Sequence, residues 1–160
     1  GTLTTVQSLA RAESGLIVRP ADAEIIPPLS DYDAFWRRQV PFLFLTAGRS
    51  ARYHTPQDTP EHLAWDKMAA TARWIDRFVR AICAQPSARI PFQAAARADA
   101  TTLTSFIELA KPLAQLAPLA RVAMGRAQQL LSQCDAQGRL PSSLRGAPAE
   151  LVLGLESALS

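Results

Sequence analysis

The chain has 160 residues, 48% of them hydrophobic, enough to bury the core of one compact domain or to form part of a larger one. Its net charge of +3 comes from scattered arginines, not from the clustered Lys/Arg stripe with interleaved aromatics that marks nucleic-acid binding, so no nucleic-acid partner is expected. The longest apolar run, residues 40–47 (VPFLFLTA), is the size of a strand and too short for a membrane span.

In chain order, residues 2–13 read as a short helix stopped at Ser14-Gly15, followed by a short buried strand at residues 16–18. An acidic loop with Pro27-Pro28 leads to Ser30 and Asp31, N-cap candidates for a helix over DAFWRRQ. Residues 40–46 are nearly all apolar, which predicts a central strand covered on both faces. A polar loop at residues 47–60 follows. Asp66 is then expected to cap an amphipathic helix to residue 84, with Met68, Ala72, Ile75, Val79 and Ile82 as its apolar stripe. Helix, strand, helix, strand, loop, helix is α/β order.

After Gln85-Pro86 the pattern changes to a linker at residues 87–100, with one short extended piece at residues 90–93. Three helices are predicted beyond it, at residues 101–115, 118–134 and 147–159. Their expected apolar faces are Leu103, Phe106, Ile107 and Ala110; then Val122, Leu130 and Cys134; then Leu151, Leu155 and Leu159. Such short helices bury little alone, so the helix at residues 66–84 is expected as a fourth surface. The domain reading is therefore residues 1–86 and a helical extension, residues 87–160. The start GTLTT carries neither an initiator Met nor a signal-peptide pattern and is read as the interior of a longer protein. Cys83 and Cys134 are either free thiols or one disulfide. Docking of the two helix ends would bring their Cα atoms within about 7 Å, and a bond would tilt the reading towards an exported protein.

The segment YHTPQDTPEHL, residues 53–63, holds both histidines of the chain. His54 lies in a loop that Pro56 and Pro60 stiffen and that Thr55, Asp58 and Thr59 can bond, at the end of the expected central strand. A neutral imidazole there suits a zinc ligand, and an ordinary loop histidine is the competing reading. His62, just before the long helix, reads as solvated. Trp36, Trp65 and Trp74 read as core or interface. Arg37, Arg38, Arg49 and Arg52 flank the motif as solvated cations that could attract an acidic substrate.

Ser30-Asp31, Phe35, Val40-Pro41, the apolar residues 42–45 and Tyr53-His54-Thr55-Pro56-Gln57-Asp58-Thr59 resemble the C-terminal part of the zinc aminopeptidases of metallopeptidase family 28. The likeness spans about residues 30–80 and implies the last part of a three-layer α/β sheet domain. It implies that His54 ligates one of two zinc ions, that Tyr53 donates to the oxyanion of the tetrahedral intermediate, and that Asp31 lies behind the site. Asp58 and Thr59 would hold the loop. Tyr32 stands where the family commonly has His, and the remaining ligands would come from an N-terminal half not contained here. The resemblance thus implies part of a zinc-dependent metalloexopeptidase acting on peptide N-termini, inactive alone, with a peptide substrate and the missing half-domain as partners. Two other readings stay open: a non-catalytic α/β and helical interaction module on the same scaffold, and a glutaminyl cyclase-like acyltransferase with one zinc.

Overall fold

The computed structural model describes residues 2–26, 30–48, 50–86, 89–93 and 97–159, with side chains to residue 155. It divides into two compact units: Gly1–Arg19 with Asp31–Gln93, and Pro20–Ser30 with Ala94–Ser160. Six α-helices appear among the described residues: α1 (Leu3–Leu9), α2 (Tyr32–Arg37), α3 (Trp65–Cys83), α4 (Asp99–Leu113), α5 (Pro118–Leu131) and α6 (Ala147–Leu159).

The expected α/β sheet is not there. No described residue is in a strand, so the three-layer sheet domain is overturned, and so are the strands at residues 16–18 and 40–46. A strand exists only by pairing, since its N–H and C=O groups need a ladder partner. Val18 instead donates its N–H to the Ala10 carbonyl (2.9 Å), which folds the chain back on the end of α1. Residues 41–47 make no backbone–backbone hydrogen bond among the described residues. This extended segment lies on α2 through aromatic contacts. Tyr32 packs on Phe42 (5.4 Å between centroids) and Phe44 (5.0 Å), and Trp36 meets Phe42 and Phe92. Leu43, Phe44 and Leu45 nevertheless stay 38%, 40% and 40% exposed. The short extended piece expected at residues 90–93 has no regular structure.

In the N-terminal unit, α3 packs on α1, but not with the stripe that periodicity selects. Ala70 and Trp74 are its buried residues, while Met68, Ile75 and Val79 of the expected stripe are exposed. The indole decides the face. Trp74 is the bulkiest fully buried side chain, donates Nε1–H to the Leu9 carbonyl (2.8 Å) and stacks on Phe78. Beside it, Arg73 and Arg77 both bond Glu13 (2.8 and 2.6 Å), a buried carboxylate just past α1. These two bonds hold the Glu13 carboxyl below its ordinary pKa, Arg73 contributing most. Asp66 does not cap α3, which starts at Trp65 after Ala64. Asp31 makes no side-chain cap bond to α2, which ends as Gln39 enters the left-handed region (φ 53°).

The C-terminal unit has a continuous core. Leu103, Phe106 and Ala110 of α4 pack with Ala127 and Leu130 of α5 and with Leu140, while Leu151 and Leu155 of α6 close on them. The faces expected for α4 and α6 hold for the described side chains; that of Leu159 lies outside them. On α5, which ends at Leu131 and not at residue 134 as expected, Leu130 packs on the core, as does Cys134 just beyond it, but Val122 is 69% exposed. Residues 20–26 complete this unit with polar contacts: Ser105 Oγ donates to the Pro20 carbonyl (2.6 Å), and Glu24 pairs with Arg145. Asp99 joins α4 to the connection between α5 and α6, accepting from Leu140 N–H (2.8 Å) and Arg97. Cys83 is exposed, Cys134 is half-buried, and both are free thiols, so no disulfide supports export.

Candidate functional site

The Tyr53–His54 loop is a chain of tight turns. Tyr53 N–H donates to the Ser50 carbonyl (3.0 Å), Thr55 N–H to the Arg52 carbonyl (2.9 Å) and Asp58 N–H to the Thr55 carbonyl (3.1 Å). Thr55 ties them together: its hydroxyl donates to the Arg52 carbonyl (2.7 Å) and accepts from Gln57 N–H (3.3 Å). The Thr59 hydroxyl beside Glu61 lowers that carboxyl's pKa, and Thr59 makes no side-chain cap bond to the Pro60–His62 segment that follows it. No side-chain bond links Asp58 to the loop among the described contacts.

His54 has φ 60°, a left-handed conformation uncommon for a residue with a Cβ though less so for His. The turns on both sides hold it there. Its ring stacks on Tyr53, with centroids 3.9 Å apart and planes 18° from parallel. Both residues are exposed. Of the residues picked from sequence, the fold brings Tyr53 and His54 into contact. Asp31 sits on another element, at the start of α2, where its carbonyl accepts Ala34 N–H (3.1 Å). Tyr32 is a packing residue against Phe42 and Phe44. His62 is exposed in its short 3-10 turn, and Trp65 is 59% exposed. Arg37 pairs with Asp33 (2.7 Å); Arg49 lies outside the described residues.

A catalytic zinc needs at least three protein ligands. Among the described residues no group of three His, Cys, Asp or Glu side chains could hold a metal ion. His54 is a lone donor, and the described residues do not fit a zinc centre.

Sequence reasoning missed a cleft of about 330 Å³ in the C-terminal unit, lined by Asp22, Glu24, Asp99, Thr102 and Arg145. Its signal was the acidic ADAE, which alone reads as a loop. Asp22 Oδ2 accepts Ala98 N–H (2.9 Å), and Asp22 N–H donates to Thr102 Oγ1 (2.9 Å). Burial, and then the neighbouring Asp99, push the Asp22 carboxyl above its ordinary pKa. Glu24 is taken by Arg145 and Asp99 by Arg97 and Leu140 N–H. The polar groups of the cleft are thus spent on holding residues 20–26 to α4 and to Arg145 just before α6, and α4 to Leu140, which makes it a structural joint.

Residues 3–79 match a family model described as Peptidase family M28. No curated protein and no solved structure matches the chain.

Proposed function

Because residues 3–79 of this chain belong to peptidase family M28, we propose that it contributes the Tyr53–His54 part of the site of a zinc-dependent aminopeptidase. The observation that carries this reading is the family match over a segment in which two exposed rings are stacked on a turn-locked loop. His54 would donate one imidazole nitrogen to the metal, whose chemistry in such enzymes is to polarise the scissile carbonyl and activate water. The other ligands would come from residues beyond those described, since these hold no three-ligand group. Tyr53, whose ring stacks on that imidazole, would donate its phenol O–H in a hydrogen bond to the oxygen that gains charge. Asp31, at the start of α2, would act behind the site in this reading. The substrate is a peptide with a free N-terminus, and the partner is the remainder of the peptidase domain.

The test is hydrolysis of aminoacyl-anilides by the natural gene product that carries this chain. Activity should disappear on chelation and fall on the order of a hundredfold or more in His54→Ala. Tyr53→Phe should lower kcat by about a hundredfold with KM little changed. Full activity in His54→Ala would end the reading. Calorimetry of this chain with zinc should show no tight stoichiometric site, and submicromolar binding lost in His54→Ala would reveal ligands not recognised here.

A second reading has its own observation: the lack of a three-ligand group among the described residues suits a non-catalytic interaction module on a peptidase-derived sequence. Absence of hydrolysis and of zinc in the natural product would favour it.

A further inference from the structure

The three most exposed large hydrophobic side chains described in this chain lie within seven residues of each other, at the turn joining α4 to α5. They are Leu116 (84%), Val122 (69%) and Leu119 (61%), with Leu109 (56%) seven positions before Leu116. The cause is local. Near this turn the two helices are closed on each other by small residues, Ala110, Ala114 and Ala120, all buried. Alanines let the backbones approach and leave no inward room for leucines. Pro112 and Pro118 flank the turn, and Arg121 folds back so that Nη2 donates to the Ala114 carbonyl (3.3 Å), fixing the turn's shape.

The charge around this tip has one sign. From Leu109 to Cys134 the sequence contains Lys111, Arg121 and Arg126 and no acid, the nearest being Glu108 and Asp135. Lys111, Arg121 and Arg126 are exposed. Exposed leucines at a turn whose neighbouring sequence carries cations and no acid match the boundary of an anionic bilayer, where apolar tips enter the acyl region and basic side chains meet headgroups. A protein partner would need a groove for this tip and acids around it. No helix among the described residues is long and apolar enough to cross a membrane, so the contact is with the surface.

We propose that the α4–α5 turn, through Leu116, Leu119 and Val122 with Lys111 and Arg126, docks this chain on anionic lipid surfaces. The inference is independent of the peptidase reading, since it uses only the C-terminal unit.

Co-sedimentation of the full chain with phosphatidylcholine vesicles, with and without phosphatidylserine, tests it. The chain should pellet with phosphatidylserine vesicles, weakly or not at all with phosphatidylcholine alone, and be released as salt rises. Leu116→Ser with Leu119→Ser should weaken partitioning by about tenfold or more at unchanged helical circular dichroism. Lys111→Gln and Arg126→Gln should each weaken it about fivefold. Should the double variant lose helix, Leu116→Ser alone, at the most exposed position, carries the same comparison. Failure to pellet with either vesicle overturns the proposal, as does pelleting that the leucine variants do not change. Dimers in sedimentation velocity that Leu116→Ser dissolves, without vesicle binding, would assign the tip to a second copy of the chain instead.

Discussion

The two units solve the burial problem in opposite ways. In the C-terminal unit the core is spread over Leu103, Phe106, Ala110, Ala127, Leu130 and Leu140, with α6 adding Leu151 and Leu155. In the N-terminal unit, which holds most of the matched residues 3–79, the buried apolar residues among those described are Val6, Ala70 and Trp74. Its exposed apolar side chains include Phe35, Leu43, Phe44, Leu45, Met68, Ile75 and Val79. One region rests on many interchangeable contacts, the other on a single indole and a charged clasp. A core built from several leucines tolerates loss by sharing it, whereas a tryptophan with its own hydrogen bond has no substitute nearby.

The sharpest way to break this contrast is Trp74→Ala. It should remove about 3–5 kcal/mol of local stability from α1 and α3, read as lost amide hydrogen-exchange protection in those helices. Leu130→Ala should cost α4, α5 and α6 about 2–5 kcal/mol by the same readout. A smaller loss for Trp74→Ala than for Leu130→Ala would show that the N-terminal unit has support beyond its indole. Next in size is Asp99→Ala, which leaves the Leu140 N–H and Arg97 without their acceptor in a buried place and should cost about 1–3 kcal/mol.

Acid should separate the units by sign. Glu13 has a folded pKa held down by Arg73 and Arg77, so its stabilisation is present above the ordinary carboxylate range. That stabilisation is lost as pH falls through the depressed value. Asp22 has a folded pKa raised by burial, so its contribution is present below its unfolded value and lost as pH rises through the raised one. Acidification should therefore reduce protection in α1 and α3 through Glu13. In α4, lowering the pH from above the raised Asp22 value to the ordinary carboxylate range should add protection through Asp22. Glu13→Gln and Asp22→Asn should each flatten their own dependence, measured by hydrogen exchange across a pH series.

The smallest expected effects lie on the exposed apolar positions. Met68→Ser, Val79→Ser and Val122→Ser should each change stability by no more than about 0.5 kcal/mol in denaturant unfolding. Thiol alkylation of the unreduced chain should label both cysteines, Cys83 first. Cys134 is half-buried, and burial followed by the nearby Asp99 raises its pKa.

Much was determined by the sequence alone. The long helix at α3 and the three helices of the C-terminal unit follow from 3.6-residue periodicity, with Pro118 starting α5 as its missing N–H allows. The motif around Tyr53 and His54 also stood out, because prolines, threonines and a histidine in that order exclude helix and strand. The strand reading of residues 40–46 failed because a strand is not a local object. The apolar run specifies an extended chain, and a ladder needs partners that the described residues do not provide. Periodicity likewise selected for α3 the stripe of Met68, Ile75 and Val79, whereas packing against α1 chose the face with Trp74, through an indole hydrogen bond to a carbonyl 65 positions away. The same holds for Val122: it lies on an apolar face in the sequence, but Ala110, Ala114 and Ala120 close the hairpin and turn it out. Asp22 was read as loop, and its place against Ala98 and Thr102 came from a fold that carries residues 20–26 to α4. Local backbone preference and side-chain period are written within a few residues of each position. Which face is buried, and which polar group meets which, depends on segments far apart in the chain and is settled only when they meet.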